Sequence, residues 1–244
     1  MKPAIALVPA LNEGARIGLT VEALRSLPAM SEVIIIDDGS TDDTAAVARA
    51  AGACCLSLPR TFGKGDALNA GVGLVRERII DGHVGVPHTL LLADGDLAAS
   101  AVELQRLLDA LDREDADMAI ADLPPQEGAA GFGLARGLAA AGVKHFTGIA
   151  MREPLSGQRA LRWIVLPAVV PFAPHFGVEV AMTLAAAAAK LEVIEVEVPL
   201  THDATRRDLA GALHRASQAR SVATELIGHA RKSMGLRRAR SQAM

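Results

Sequence analysis

The stretch Val33–Ser40, VIIIDDGS, joins a run of β-branched residues to two carboxylates, a glycine and a serine. Short β-branched runs favour strands, and the glycine and serine that follow favour a turn at the end of the strand. Short Ser, Thr and Asp side chains also cap helix N-termini, so Thr41 or Asp42 can begin a helix here. The stretch therefore predicts a strand, an acidic turn and a helix in direct succession.

The same succession recurs along the first half of the chain. We predict strands at Ala4–Val8, Val33–Ile36, Ala53–Leu58, Thr89–Ala93 and Met118–Ala121. The segments between them carry apolar residues at helical spacing, as at Ile17, Val21 and Leu24. Strands that alternate with helices at this spacing predict an α/β fold with a mostly parallel central sheet and helices on both faces.

The pattern changes after Pro124. Residues 128–142 are rich in Gly and Ala and predict helical content, and residues 154–162 predict a loop that leads into a helix. Further along the chain we predict a helix over 176–190, a strand over 193–200 and a long amphipathic C-terminal helix over 208–232.

Composition sets limits on the fold and its compartment. The chain has 244 residues, half of them hydrophobic, which suits one large domain with a sizeable core. Its only cysteines, Cys54 and Cys55, are adjacent in sequence, which does not suit a disulfide, so we expect a cytoplasmic protein. The first apolar segment is too short for a signal peptide, and no stretch has the length of a membrane-spanning helix.

The net charge of −3 is unevenly distributed. From Arg206 onward nine basic residues face two acidic ones, so this segment carries +7 and the rest of the chain −10. The basic helix fits three interpretations: a solvated helix packed by its apolar stripe, a homodimer contact, or peripheral contact with an anionic membrane. Nucleic acid is not an expected partner, because the body is acidic and has few aromatic residues for stacking on bases.

Acidic side chains follow three of the predicted strands. Glu13 follows the first, Asp37 and Asp38 the second, and Asp94 and Asp96 the fourth. Ligands of open parallel sheets bind at the carboxyl ends of the strands, where these side chains should converge. Such convergence indicates a binding site, although each cluster alone also fits a solvated turn.

Asp94-Gly95-Asp96 places two carboxylates around a residue without a side chain. Mg²⁺ prefers oxygen ligands and usually takes one or two carboxylates together with substrate phosphates. Such an ion would stabilise the charge that develops on a leaving diphosphate. Lys64, between two glycines at the start of a predicted helix, is placed to contact phosphate, although alone it also fits a surface residue.

Four segments together carry a family resemblance: Val8–Glu13, Ile36–Asp42, Gly63–Gly71 and Asp94–Asp96. In order and spacing they resemble the motifs of family 2 glycosyltransferases, which have the Rossmann-like GT-A fold. The resemblance implies a nucleoside pocket, a lysine near the base or phosphates, and carboxylates that serve ribose and metal. The donor contacts that we expect are Pro9, Ala10, Leu11, Glu13, Asp38, Lys64, Asp94, Gly95 and Gly157.

The second half is similar to bacterial glucosyl-3-phosphoglycerate synthases over Pro154–Ala160 and Pro171–Val180. The first of these segments also resembles the Ser-Gly-x-Arg segment of polyprenyl-phosphate sugar transferases. The resemblance implies that Glu179 contacts the sugar and that His202 binds the metal. His202 ends a predicted strand, where it could join Asp96 and two phosphate oxygens around Mn²⁺ or Mg²⁺.

One segment departs from the synthases. Their Gly-Gly-Arg-Val-Thr segment holds the acceptor, whereas the comparable stretch here, residues 130–136, has no arginine at the matching place. The acceptor therefore stays open between a small phosphorylated compound and a lipid phosphate.

These observations predict a metal-dependent glycosyltransferase, with a UDP-sugar such as UDP-glucose as the favoured donor. We divide its single domain into a nucleotide-sugar-binding half, 1–124, and an acceptor-binding half, 125–244. Asp96 and Glu179 are the expected catalytic residues. Glu179 would act as base if the enzyme inverts the configuration of the anomeric carbon. If the enzyme retains that configuration, the donor phosphate would take the proton.

Two alternatives remain at this stage. A sugar-1-phosphate nucleotidyltransferase would also use a Rossmann-like sheet and a metal, but Asn12–Arg16 is poor in the glycines that such enzymes place after the first strand. A degenerate transferase would bind nucleotide-sugar without turnover.

Overall fold

The computed structural model describes residues 2–123, 132–174, 177–200, 223, 224 and 227. Within these residues one seven-stranded sheet has the order β3-β2-β1-β4-β6-β5-β7. The strands are β1 (Ala4–Ala10), β2 (Met30–Asp37), β3 (Cys54–Ser57), β4 (Thr89–Leu92), β5 (Met118–Asp122), β6 (Arg159–Arg162) and β7 (Val193–Glu197). The α-helices are α1 (Ile17–Arg25), α2 (Thr44–Ala50), α3 (Lys64–Ile80), α4 (Gln105–Arg113), α5 (Phe132–Thr147), α6 (Leu166–Val169) and α7 (Val178–Ala188).

The sheet is mostly parallel, as predicted. Strands β1, β2, β3 and β4 run parallel to one another, and β5 is parallel to β7. Only β6 is antiparallel among the described strands, and it pairs with both β4 and β5. The carboxyl ends of the parallel strands and the start of β6 therefore share one edge of the sheet.

Helices cover both faces of the sheet, which confirms the predicted layers. Alternate residues of β1 explain why: Ile5 and Leu7 pack in one core, whereas Ala6 and Val8 pack in the other. Helices α3, α5 and α7 supply the first core, and α1 and α4 supply the second. Since a strand buried on both faces has apolar residues at successive positions, its sequence shows a continuous apolar run.

One part of the predicted loop at 154–162 is wrong. Arg159–Arg162 forms β6, near the middle of the sheet, because β4 and β5 both offer it ladder partners, and backbone carbonyls accept several of the arginine donors. The segment lacks a β-branched run, so its sequence alone gives no strand signal.

The predicted helices over 128–142 and 176–190 correspond to α5 and α7, whose described bounds differ from them by a few residues. Most of the predicted C-terminal helix lies outside the described residues, although 223, 224 and 227 are helical. None of the helices in the described ranges combines the length and the hydropathy needed to cross a bilayer.

A glycine in the first turn of α3 permits a close approach between two segments. A Cβ on Gly65 would lie 1.9 Å from the carbonyl oxygen of Ala173, a backbone atom that cannot move aside cheaply. We expect Gly65→Ala to lower the free energy of unfolding by about 1–3 kcal/mol, measured by chemical denaturation.

Gly73, in the same helix, provides the matched control. A Cβ there would meet no atom within 4 Å. Gly73→Ala should therefore stabilise the protein by about 0.5–1 kcal/mol through helix propensity alone. Equal stabilities for the two variants would contradict the close packing of α3 against Ala173.

Candidate active site

The turn after β4 is held against the end of β1. A Cβ on Gly95 would lie 3.2 Å from that of Ala10 and 3.4 Å from Cγ of Glu13, so a larger residue would be crowded. The buried Thr20 hydroxyl donates to the carbonyl of Gly95 and accepts from the amide of Ala98, both at 2.8 Å. These contacts fix the turn that carries Asp94 and Asp96.

An ion-pair cluster joins three elements at this edge. The Lys64 ammonium, at the start of α3, lies 2.7 Å from Oδ1 of Asp94 and 2.9 Å from Oε1 of Glu179. Glu179 is in the first turn of α7, where the helix dipole also stabilises a carboxylate. The structure thus brings together three predicted site residues that are far apart in sequence.

Burial and the two carboxylates act in opposite directions on Lys64. Burial alone would lower the pKa of its ammonium, but Asp94 and Glu179 outweigh this and raise the pKa above its ordinary value. Lys64 therefore carries a full positive charge at neutral pH. A fixed cation beside an acidic turn is suited to hold a diphosphate.

Gln158 is a site residue that sequence reasoning missed. Its Nε2 donates to Oδ2 of Asp94 at 2.7 Å, and its Oε1 accepts from the Ser156 hydroxyl at 3.3 Å. Gln158 is buried and precedes β6 directly, so recognising that strand would have indicated an inward-facing polar residue at the sheet edge. With Lys64 on one oxygen and Gln158 on the other, the carboxylate of Asp94 is fixed in orientation.

Gly157 lies where the loop passes closest to the ion pair. A Cβ on this residue would be 2.3 Å from the Lys64 ammonium and 2.9 Å from the nearer oxygen of Asp94. Gly157 therefore lies beside Lys64 and Asp94, and its lack of a side chain is what leaves room for Lys64.

Asp38 holds the loop that leads into α3. Its two carboxylate oxygens accept from the amides of Phe62 and Gly63, each at 2.8 Å. Gly63 has φ of 103°, in the region that favours glycine, and Lys64 begins the helix directly after it. Asp38 thus positions Lys64, and its remaining lone pairs leave it able to accept from a ligand.

The turn after β2 differs in detail from its sequence prediction. Helix α2 begins at Thr44, whose amide donates to the Asp42 carboxylate at 3.0 Å, whereas Thr41 donates to the side chain of Asn12. Oδ1 of Asp37 accepts from the Ser40 amide at 3.0 Å, within the turn itself.

Glu13 and Asp96 crowd negative charge near the end of β1. Burial raises the pKa of Glu13, and the nearby charge of Asp96 raises it further, while Arg16 partly offsets both. The part of this rise in pKa that Asp96 causes reflects negative charge that a bound cation would offset. Among the described residues no group of three or more His, Cys, Asp or Glu is arranged as a complete metal site, and the predicted ligand His202 lies outside them.

The remaining predicted donor contacts lie at the end of β1. Ala10 is buried, and Leu11 is 42% exposed just beyond the strand. Pro9 pairs in register with Ile36, next to the acidic turn of β2. All three therefore lie at the edge where the other candidates converge.

Comparison with known proteins identifies the family. The family model for glycosyl transferase family 2 matches residues 5–148. Among curated relatives, the glucosyl-3-phosphoglycerate synthase of Mycobacterium tuberculosis is 30% identical over 193 residues, covering 73% of this chain and 59% of that protein. The dodecaprenyl-phosphate galacturonate synthase of Rhizobium johnstonii is 31% identical over 124 residues, covering 47% of this chain and 34% of that protein.

The fold also matches solved structures. The M. tuberculosis synthase in complex with Mn²⁺, UDP and glucosyl-3-phosphoglycerate superposes with a TM-score of 0.74 at 26% identity, covering 93% of this chain and 79% of that one. The same synthase solved with Mg²⁺ and UDP matches equally well. The chain spans about a third to three fifths of the length of the curated relatives above. Because the family match covers more than half of the sequence, the chain belongs to glycosyl transferase family 2.

Proposed function

We propose that this chain is a metal-dependent glycosyltransferase that uses a UDP-sugar donor. The observation that carries the proposal is the convergence of Asp94, Lys64 and Glu179 from three separate elements at the carboxyl edge of the sheet. Family membership supports the reaction class, and the UDP bound in the solved M. tuberculosis synthase supports the nucleotide.

The chain's own residues would divide the work of donor binding. The Lys64 ammonium supplies positive charge for the diphosphate, and Asp94, fixed by Lys64 and Gln158, presents its carboxylate toward the ribose. Asp38 and Glu13, beside the end of β1, border the nucleoside pocket together with Pro9, Ala10 and Leu11. Gly95 and Gly157 allow the backbone to approach the donor closely.

The acidic surroundings of Asp96 fit a divalent cation. The pKa of Glu13 is raised mainly by burial and further by the nearby charge of Asp96, and carboxylate oxygens are ligands that Mg²⁺ and Mn²⁺ accept. Asp96 and His202 are the residues proposed to hold the ion. When bound, the ion would supply Lewis-acid stabilisation of the leaving diphosphate.

Glu179 is the candidate catalytic carboxylate. It is held beside Lys64 and only 8% exposed, at a helix start that faces the acidic turn. In an inverting reaction it would accept the proton of an acceptor hydroxyl, and in a retaining reaction it would contact the sugar.

The acceptor is proposed to be a small phosphorylated compound or a lipid phosphate, the two kinds named for the relatives. Residues 1–124 would bind the donor and 125–244 the acceptor, within one domain whose sheet takes strands from both parts. A cytoplasmic location, a homodimer contact and peripheral membrane contact by the basic C-terminal segment remain predictions.

Ligand-dependent thermal stability tests the donor assignment. UDP-, GDP-, ADP- and dTDP-sugars are compared with and without Mn²⁺. We expect a UDP-sugar at ~100 times its dissociation constant to stabilise the protein by about 2.7 kcal/mol, and only when Mn²⁺ is present. A matched sample with Mn²⁺ and UDP-sugar but excess chelator is the control.

Three other results would contradict parts of the proposal. If no nucleotide-sugar stabilises the protein with any metal, the proposed donor site is refuted. Stabilisation by a nucleoside triphosphate and a sugar-1-phosphate favours a nucleotidyltransferase. Binding of the donor with neither transfer nor hydrolysis indicates a degenerate transferase.

A further inference from the structure

A buried arginine lies directly behind the candidate active site. Arg159 is the first residue of β6 and is fully buried, and among the described residues its guanidinium forms no ion pair. Burial lowers its pKa to about 10, so it remains positively charged at neutral pH. A buried cation is costly; the charges of Glu179 and Glu195 offset part of that cost without an ion pair, and hydrogen bonds satisfy its donors.

The guanidinium spans two elements. Its Nε donates to the carbonyl of Ser156 at 2.9 Å and its Nη2 to that of Pro154 at 3.0 Å, both in the loop before β6. Its Nη1 donates to the hydroxyl of Thr183 in α7 at 2.9 Å, and that hydroxyl in turn donates to the carbonyl of Glu179 at 3.0 Å.

Both elements also reach the ion-pair cluster with their side chains. The loop supplies Gln158, which donates to Asp94, and α7 supplies Glu179, which pairs with Lys64. Arg159 itself touches neither Asp94 nor Lys64 in these contacts, so it acts through its neighbours.

We propose that Arg159 is a positioning residue of the donor site. Its guanidinium fixes the spacing between the loop of residues 154–158 and the first turns of α7, so that Gln158 reaches Asp94 and Glu179 reaches Lys64. The inference rests on the proposed function, because the site that it positions is the proposed donor site. A planar group with several fixed donors suits this task better than a lysine, whose single ammonium cannot span the same set of acceptors.

Arg162 offers a matched control in the same strand. Its guanidinium also donates to backbone carbonyls, those of Ala116 and Leu111. Arg162 lies at the end of β6 that is remote from the site. Arg159→Met and Arg162→Met each remove a guanidinium that binds carbonyls, and Arg159→Lys keeps the charge. Only the Arg159 changes should alter the donor site.

The kinetic readout is hydrolysis of UDP-glucose with Mn²⁺, together with the dissociation constant of UDP by calorimetry, both below the melting temperature of each variant. We expect Arg159→Met to raise the donor KM and the dissociation constant of UDP roughly 10- to 100-fold, as for other residues that orient ligand-binding groups, and Arg159→Lys to recover part of this loss. Arg162→Met should leave both constants unchanged. A merely structural role would lower only the folded fraction, which reduces kcat but leaves KM as it was.

Hydrogen exchange provides a readout that does not depend on activity. Arg159→Met should speed amide exchange at residues 155–158 and 179–183, whereas Arg162→Met should speed it at residues 111–117. Unchanged exchange at 155–158, or a donor KM equal to that of the unaltered protein, would overturn the positioning role. If the unaltered protein neither binds UDP nor hydrolyses UDP-glucose, the proposed function fails, and exchange at the two elements alone decides whether Arg159 ties them together.

Discussion

Replacing Asp96 by Asn should lower kcat/KM for the UDP-sugar roughly 1000-fold, which corresponds to about 4 kcal/mol of transition-state stabilisation. The substitution keeps the size of the side chain but removes the negative charge that the proposed divalent ion requires. Asp96 also raises the pKa of Glu13, so the charge of Asp96 acts on a second carboxylate of the site. The loss should appear with Mn²⁺ present, and UDP affinity should no longer depend on the metal.

The control for this variant is Asp109→Asn. Asp109 lies on α4 and accepts from Gln105 on the exposed face of that helix, so the same chemical change there should leave the kinetics unaltered. The measurement is initial-rate kinetics over a Mn²⁺ titration. An Asp96→Asn variant with full activity, or with unchanged metal dependence, would refute the metal role of Asp96.

Replacing Lys64 by Met should weaken UDP binding by about 100-fold or more, because it removes the cation proposed to face the diphosphate. It also leaves Asp94 and Glu179 facing each other without the ammonium that lies 2.7 Å and 2.9 Å from them. The unaltered protein should show no such weakening across the neutral pH range. Since the pKa of Lys64 is raised in the folded protein, the contribution of Lys64 to the free energy of unfolding is fully present below pH 10.5. That contribution is lost only as the pH rises through the raised pKa.

A double variant separates binding from stability. Lys64→Met together with Glu179→Gln removes one of the two carboxylates that face the missing ammonium and should recover part of the lost stability, but not the affinity for UDP. Lys2→Met is the control, because the ion pair of Lys2 with Asp112 is exposed. Calorimetry with UDP and Mn²⁺ measures the affinity, and denaturation measures the stability. UDP affinity that returns in the double variant would show that Lys64 serves only to neutralise Glu179.

Local sequence was sufficient for the layout of the first half. The strand at Val33–Ile36 and its acidic turn, the glycines around Lys64 and the Asp94–Asp96 turn are all signalled by residues adjacent in the chain. Strand and helix periods and turn chemistry are properties of near neighbours, which is why these elements and the sheet edge could be predicted. The roles of Glu179 and Gly157 came instead from the family resemblance.

The remaining features depend on contacts that no local pattern encodes. Arg159–Arg162 has no strand signal, yet it forms β6 because two flanking strands offer it ladder partners and buried carbonyls accept its arginine donors. Gln158 donates to Asp94 only because β6 starts at the edge of the sheet where β4 ends.

Sequence by itself therefore determined which residues bear the charges and where the strands of the first half end. Tertiary structure decided which of these charges pair, as with Lys64 between Asp94 and Glu179, and that Asp38 holds the loop before α3. The physical reason is that hydrogen bonds and ion pairs between distant segments form only where packing of the two cores brings their ends within bonding distance.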